Sequence, residues 1–184
     1  MKILCIEDDS ETAKLIAEEL TDRAFDVIIA RDGQEGLIAI LKGIPDLVLC
    51  DIGLPKMSGF DVLARLNELT SRMKPVPFLF LTALTDRENK LRAESLGADD
   101  YISKPIDFDR LETIIWHRLA TTAHDSGLKR PILNDGEAEA LTWVACGKTP
   151  AEVAKMLGLA EHNVDNQLNS ACTKLGCHDV VCVE

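Results

Sequence analysis

Aromatic residues make up only 4% of this 184-residue chain, and basic residues are outnumbered, with 20 Lys and Arg against 31 Asp and Glu. No apolar run approaches the roughly 18 to 20 residues that a membrane-spanning helix needs. The N-terminus reaches Glu7, Asp8 and Asp9 too early for a secretory signal peptide. We therefore expect a cytoplasmic protein without a membrane partner. The 46% of hydrophobic residues supply enough aliphatic side chain for a folded core.

The six cysteines lack the C-x-x-C spacing of zinc modules and redox dithiols. Cys5 and Cys50 lie within apolar, strand-like runs, where a thiol behaves as a small buried hydrophobe. The alternative is a metal or redox cluster formed by Cys177, His178 and Cys182. We expect reduced, structural thiols.

Short apolar runs alternate with longer amphipathic ones over the first two-thirds of the chain. The predicted strands are 2–6, 26–30, 46–50, 77–81 and 101–103. The predicted helices are 10–20, 33–42, 60–69, 87–95 and 108–120. Strands that are apolar on both faces are typical of parallel sheets covered by helices on both sides. This pattern predicts an α/β doubly wound domain with a five-stranded parallel sheet over residues 1–121, and its site beyond the carboxyl ends of the strands.

Small and polar residues with Gly127 and Pro131 predict a linker over 122–133. Beyond it we find no strand pattern, and helices are predicted over 136–145, 150–157 and 162–175. Thr149 before Pro150, with Glu152 three residues later, indicates a capped helix start. Glycines suited to helix C-termini follow the three helices: Gly147, Gly158 and Gly176. Residues 134–184 therefore form a second, small all-α domain.

Polar residues follow the predicted strands at the edge where a site is expected. Glu7 and Asp8 follow the first strand, Asp51 the third, Thr82 the fourth and Lys104 the fifth. Three acids at one edge repel each other and favour a hard cation with oxygen ligands, such as Mg²⁺. A lysine and a hydroxyl facing the same point can neutralise a phosphoryl group during its transfer. The alternative is a set of ordinary solvated loop acids.

Four segments resemble a two-component receiver domain, a flavodoxin-like fold: ILCIEDD (3–9), PDLVLCDIGLPKMSG (45–59), LTA (81–83) and YISKP (101–105). The resemblance covers roughly residues 1–120. It implies that Asp51 accepts a phosphoryl group from a histidine kinase. It also implies a phosphoacceptor rather than an enzyme, although the domain can catalyse its own phosphotransfer and slow dephosphorylation.

The same resemblance implies roles for the residues around Asp51. Glu7, Asp8, Asp51 and the backbone carbonyl of Gly53 would hold Mg²⁺. Lys104 would contact the phosphoryl oxygens, and its bond to Pro105 is expected to be cis. The switch would consist of Thr82, whose hydroxyl turns to the acyl phosphate, and Tyr101, whose ring moves inward behind it.

Segments over 133–147, 149–159 and 174–176, with Val164, resemble the LuxR-type helix-turn-helix of NarL/FixJ response regulators. This resemblance implies a transcription regulator that binds DNA as a phosphorylation-dependent homodimer. This chain departs from the family at residues that would contact DNA. Where the family has Thr-Val-Lys-x-His, this chain has Asn163-Val-Asp-Asn-Gln167, and residues 134–184 carry three lysines, no arginine and eight acids.

The polar residues left on that helix are possible DNA or partner contacts, or a solvated polar face: Asn163, Asn166, Gln167 and Asn169. Because Lys and Arg contacts to phosphate supply most nonspecific DNA affinity, an acidic domain is repelled by the duplex. Three interpretations stay open. The output domain regulates transcription through DNA, or it is a protein-interaction or autoinhibitory module. A receiver that serves as a phosphate sink is a third.

Overall fold

The computed structural model describes residues 1–43, 45–70, 76–83, 93, 95–123 and 132–176. The strands are β1 (Lys2–Ile6), β2 (Asp26–Ala30), β3 (Leu47–Asp51), β4 (Phe78–Thr82) and β5 (Asp100–Ser103). The helices that accompany them are α1 (Ser10–Asp22), α2 (Gly33–Leu41), α3 (Gly59–Thr70) and α4 (Phe108–Ala123). The helices that follow are α5 (Asp135–Ala145), α6 (Pro150–Leu157) and α7 (Glu161–Leu175). The helix predicted over 87–95 lies largely outside the described residues.

The five strands form one parallel sheet in the order β2-β1-β3-β4-β5, which confirms the predicted doubly wound fold. In this sheet Ile6 lies beside Cys50, and Asp51 beside Leu81. Asp51 is the last residue of β3, whereas the prediction ended that strand at Cys50. Because all strands run the same way, the residues that follow them meet at one edge.

Each face of the sheet has its own apolar cluster, since successive strand residues point to opposite faces. One cluster joins Leu4, Ile6 and Phe80 to residues of α2 and α3. The other joins Ile3 and Cys5 to residues of α1 and α4. The sheet is therefore covered on both faces, as its apolar strands predicted.

The last three helices form a small all-α unit, called here the helical unit (α5–α7). Both α5 and α6 begin with a capping box, in which the Asn134 and Thr149 side chains accept from the amides of Glu137 and Glu152. Gly158 and Gly176 end α6 and α7 with φ of 67° and 69°, values that glycine adopts without strain. The helical nature of this region was predicted from its periodicity and its caps.

The domain limits of 1–121, 122–133 and 134–184 stay a prediction. Helix α4 continues to Ala123, and most of the predicted linker lies outside the described residues. In the part of the chain that the structure describes, no helix has the length and apolar character of a membrane span.

Candidate functional site

Three carboxylates meet at the carboxyl edge of the sheet. Glu7 follows β1 and is buried, Asp8 next to it is exposed, and Asp51 ends β3. One oxygen from each lies within 4.8 Å of the others. The structure therefore brings these three predicted residues together, and their all-oxygen donor set fits a small hard cation such as Mg²⁺.

Lys104 lies between two of these carboxylates. Its Nζ is 2.6 Å from Glu7 Oε2 and 3.0 Å from Asp51 Oδ1. The bond between Lys104 and Pro105 is cis, and the Lys104 amide donates to the Thr82 carbonyl at 2.7 Å. The loop after β5 is thus tied to the end of β4, which positions the ammonium over Asp51.

The electrostatics of Glu7 and Lys104 follow from burial and from their contact. Burial raises the pKa of Glu7, the Asp51 charge adds to the rise, and the hydrogen bond from Lys104 only partly opposes it. Burial alone lowers the pKa of Lys104, but its hydrogen bonds to Glu7 and Asp51 outweigh that effect and the net pKa is raised. The lysine therefore stays charged beside the acids. Sequence reasoning missed the direct Lys104–Glu7 contact.

Two glycines define the backbone around Asp51. The Gly53 amide donates to Asp51 Oδ2 at 3.1 Å, so the structure shows its N–H engaged with the carboxylate. The role predicted for Gly53 is that its backbone carbonyl holds Mg²⁺, and this stays a prediction. A Cβ at Gly59 would lie 2.4 Å from the Asp51 carbonyl oxygen, so only glycine allows α3 to begin this close to β3. Gly59 was not predicted as a site residue.

Thr82 and Tyr101 lie on the two strands beyond Asp51. Thr82 is buried at the end of β4, and Tyr101 is half-buried on β5, beside Phe80 of β4. The sheet order places both on the side of Asp51 away from β2.

The thiols near the site are buried. Burial, aided by the Glu7 charge, raises the pKa of Cys5 to about 12, so that thiol stays protonated. Cys5 and Cys50 are both free, as predicted for structural cysteines. Cys177, His178 and Cys182 lie outside the described residues.

The candidate contact residues of α7 do not share one environment. Asn163, Asn166 and Asn169 are exposed, as is Asp165. Gln167 is half-buried against the start of α5, where a Cβ at Gly136 would lie 2.3 Å from its Nε2. Gln167 therefore contributes to packing within the helical unit, and three of the four predicted residues lie on its surface.

An ion pair between the buried Glu137 and the exposed Lys174 holds α5 to α7. Glu137, 3% exposed, accepts from Lys174 Nζ at 2.6 and 2.8 Å and from Ser170 Oγ at 2.6 Å. Both Glu137 and Lys174 belong to the residues that carry the helix-turn-helix resemblance, but sequence reasoning did not pair them. The signal available in the sequence was that Glu137 falls on the apolar face of its helix, where a charged residue needs a partner.

The site at the sheet edge combines three carboxylates and an ammonium. Such an arrangement can hold a divalent cation and accept a group whose oxygens are negatively charged. The ammonium compensates charge that the group brings, and the buried hydroxyl of Thr82 lies at the end of the neighbouring strand.

The chain is similar in sequence to a known protein family and to curated proteins. The family model described as the response regulator receiver domain matches residues 3–116. The transcriptional regulatory protein DltR of Streptococcus agalactiae is 44% identical over 111 residues, which are 60% of this chain and 48% of that protein. The transcriptional regulatory protein KdpE of Mycobacterium tuberculosis is 32% identical over 146 residues, 79% of this chain and 62% of that protein.

Solved structures agree. The receiver domain of the Francisella response regulator 1452 matches with a TM-score of 0.61 and 29% identity, over 66% of this chain and 98% of that one. The chemotaxis response regulator CheY4 of Vibrio cholerae matches with a TM-score of 0.58 and 28% identity, over 63% of this chain and 96% of that one. The chain spans about half to three-fifths of the curated relatives it matches, 48% of DltR and 62% of KdpE.

Proposed function

The chain belongs to the response regulator receiver family, and on that premise we propose that it is a two-component response regulator phosphorylated on Asp51 by a histidine kinase. The observation that carries the proposal is the placement of Lys104 Nζ at 3.0 Å from Asp51 Oδ1, within a cluster of three carboxylates. In this proposal the helical unit is a LuxR-type output domain of the NarL/FixJ type.

The chemistry follows from the site. An Asp51 oxygen forms a bond to phosphorus while the bond from phosphorus to the kinase imidazole nitrogen breaks. The imidazole keeps the electron pair and takes a proton from solvent. Lys104 then exchanges part of its contact with Asp51 for the phosphoryl oxygens, and Thr82 and Tyr101 respond to the new charge.

Mg²⁺ belongs to the same proposal, held by Glu7, Asp8, Asp51 and the Gly53 carbonyl. When bound, it supplies positive charge for the phosphoryl oxygens. Residues of the chain position the other groups. The Gly53 amide holds one carboxylate oxygen of Asp51, and the buried Glu7 holds Lys104.

The test is the variant Asp51→Asn. We expect it to lose phosphoryl acceptance from acetyl phosphate or a cognate kinase, because an amide oxygen is a poor nucleophile. Incorporation is measured by intact mass and by radiolabelling. Asp22→Asn, an exposed acid at the end of α1, is the matched control and should label at the wild-type level. Labelling of Asp51→Asn at that level would contradict the proposal.

For the output we propose regulation of transcription, with protein binding as the second candidate. The second is favoured by the exposed side of α7, which presents Asp165 with Asn163, Asn166 and Asn169. Of the lysines of the helical unit, Lys174 is bonded to Glu137 and Lys148 lies 4.0 Å from Glu152. Few positive charges are therefore directed at a phosphate backbone.

Binding of the full chain to pooled genomic DNA fragments, across a salt series and with or without phosphorylation, separates the two candidates. Specific binding that appears on phosphorylation supports transcription regulation. Absence of binding at low salt, in protein shown to carry the phosphoryl group, supports protein binding.

A further inference from the structure

The helical unit touches the receiver through two helices, α2 and α5. Lys42, which caps the C-terminus of α2, lies 2.5 Å from Asp135 at the start of α5. Gln34, near the start of α2, donates to Cys146 Sγ at the end of α5, at 3.7 Å. The two helices therefore run antiparallel.

One side of α2 makes these contacts. Gln34, Ile38 and Lys42 are four residues apart and lie along the same helix face, called here the docking stripe. Ile38 is half-buried in the apolar cluster and lies midway between the two contacts at the ends. On α5, Thr142 lies about two turns after Asp135 and one turn before Cys146, so helical spacing places it on the same side as these two residues, and it is fully buried.

The contact between the two units is apolar at its centre. Leu37, Ile40 and Leu41 of the receiver and Ala138 and Leu141 of the helical unit belong to one continuous cluster of buried residues. The amide of Leu133, a residue 1% exposed, donates to the Leu41 carbonyl at 3.4 Å. Domains move relative to each other by default unless their interface is extensive and apolar, and a shared core of this kind opposes such motion.

The docking stripe and the switch residues lie over different strands of the sheet. Helix α2 packs on β1 and β2, at the start of the sheet order, whereas Thr82 and Tyr101 lie on β4 and β5 at the other end. With α5 docked, Asn163, Asp165, Asn166 and Asn169 of α7 are still exposed. The receiver therefore leaves this side of α7 uncovered.

From this geometry we propose that the docking stripe of α2 holds the helical unit, through α5, in both phosphorylation states. The exposed side of α7 is then available at all times. Phosphorylation acts through surfaces at the β4–β5 edge rather than by unmasking α7. The part that concerns phosphorylation rests on the proposed function.

Hydrogen–deuterium exchange of the full chain tests both parts. Samples treated with acetyl phosphate and Mg²⁺ are checked by intact mass for one phosphoryl group. We expect peptides of α2 and α5 to exchange at the same rate in phosphorylated and unphosphorylated protein, while peptides of β4 and β5 change. Faster exchange of both α2 and α5 on phosphorylation would overturn the proposal. If the treated protein carries no phosphoryl group, the result contradicts the proposed function. It then also contradicts the part of this proposal that concerns docking in both phosphorylation states.

The docking itself is tested without phosphorylation by Ile38→Glu. A charge at the centre of the stripe should detach α5, and its peptides should exchange about tenfold faster or more, while β1 and β3 keep their protection. The matched control is Leu15→Glu, the same kind of change on α1, where Leu15 is 51% exposed. Equal exchange of α5 in the Ile38→Glu and Leu15→Glu variants would overturn the docking.

A second measurement does not depend on a destabilising variant. Gln34→Cys places a thiol opposite Cys146, and a short bis-maleimide should join the two, with the linked peptides identified by mass spectrometry. We expect the same rate of linkage with and without the phosphoryl group. Failure to link, or linkage only in the unphosphorylated protein, would contradict docking in both states.

Discussion

At the scale of single residues, Lys104 contacts two of the three carboxylates that would hold a divalent cation. It neutralises Glu7 and Asp51 in the structure, so it should assist acceptance of a phosphoryl group and at the same time compete with Mg²⁺. For Lys104→Met we expect about tenfold tighter Mg²⁺ binding, because a unit charge a few ångströms away is removed. Phosphoryl acceptance should fall by roughly 100-fold, since a charged donor to the transferred group is lost.

The two effects are measured separately, by calorimetric titration with Mg²⁺ and by labelling with acetyl phosphate. Lys14→Met, a lysine on the exposed surface of α1, is the control and should change neither. Weaker Mg²⁺ binding by Lys104→Met would show that the lysine organises the acids rather than competing with the cation.

The second residue-scale prediction concerns Glu137 and Lys174. Burial by itself raises the pKa of Glu137, but the hydrogen bonds from Lys174, Ser170 and the Asn134 amide outweigh burial and lower it below 4.5. A depressed pKa in the folded state contributes stability that is present above the ordinary value and is lost as the pH falls through the folded value. We expect Lys174→Met to destabilise the helical unit by about 2 kcal/mol at pH 7, because Glu137 stays buried without its partner.

This difference from the wild type should shrink as the pH falls below 4.5, the ordinary value for glutamate. Urea unfolding is followed by the fluorescence of Trp143 in α5, in a Trp116→Phe background that leaves one of the two tryptophans. Lys155→Met, an exposed lysine of α6, serves as the control. Equal destabilisation by the two lysine variants, or a difference that does not depend on pH, would contradict the ion pair's contribution.

At the scale of elements, the position of α2 depends on the absence of a side chain at Gly36. A Cβ there would lie 2.3 Å from Ile6 Cδ1. The Ile6 side chain is fully buried, and Ile6 is the residue immediately before Glu7. Gly36→Ala gains about 1 kcal/mol of helix propensity, but overpacking costs about 1–3 kcal/mol. We expect a net loss of about 1 kcal/mol in the free energy of unfolding, measured with urea.

The cause is checked by adding Ile6→Val, which removes the Cδ1 atom that Gly36→Ala would meet. The double variant should be more stable than the sum of the two single effects by about 0.5 kcal/mol or more. Strict additivity would show that the close approach of α2 to β1 is not what makes glycine necessary.

The elements themselves were largely predictable from sequence. The strands match within one residue and the described helices within three, because apolar runs and helical spacing report burial directly. The contacts between α2 and α5 were not predictable. Gln34, Ile38 and Lys42 resemble the ordinary mixed surface of an amphipathic helix, and no periodicity says what lies opposite. The carboxylates of the site were predictable because parallel strands end at one edge, whereas the Lys104–Glu7 distance depends on how the loop after β5 folds back.

At the scale of the whole molecule, the net charge limits the number of phosphate contacts with which the protein can bind DNA. The chain carries a net charge of -11, and residues 134–184 contribute three lysines against eight acids. Lys174 is bonded to Glu137, so few phosphate contacts can come from the helical unit. Lys148 and Lys155 are the other two lysines of this region. Because each phosphate contact adds about -0.9 to the slope of log K against log salt, DNA binding through the helical unit should have a slope no steeper than about -2.

Asp165 is the residue whose replacement tests this argument. It is exposed on α7, at the position where the resembling family has a lysine. We expect Asp165→Lys to bind DNA fragments more tightly at low salt and to steepen the slope by about 1, as one new phosphate contact requires. Glu11→Lys, an exposed acid on α1, changes the net charge equally but lies on the receiver, so its slope should stay unchanged. An equal gain in affinity from both variants would mean that net charge alone governs binding. A gain confined to Asp165→Lys would mean that α7 faces the duplex and that its acidic residue limits the grip of an otherwise competent helix-turn-helix.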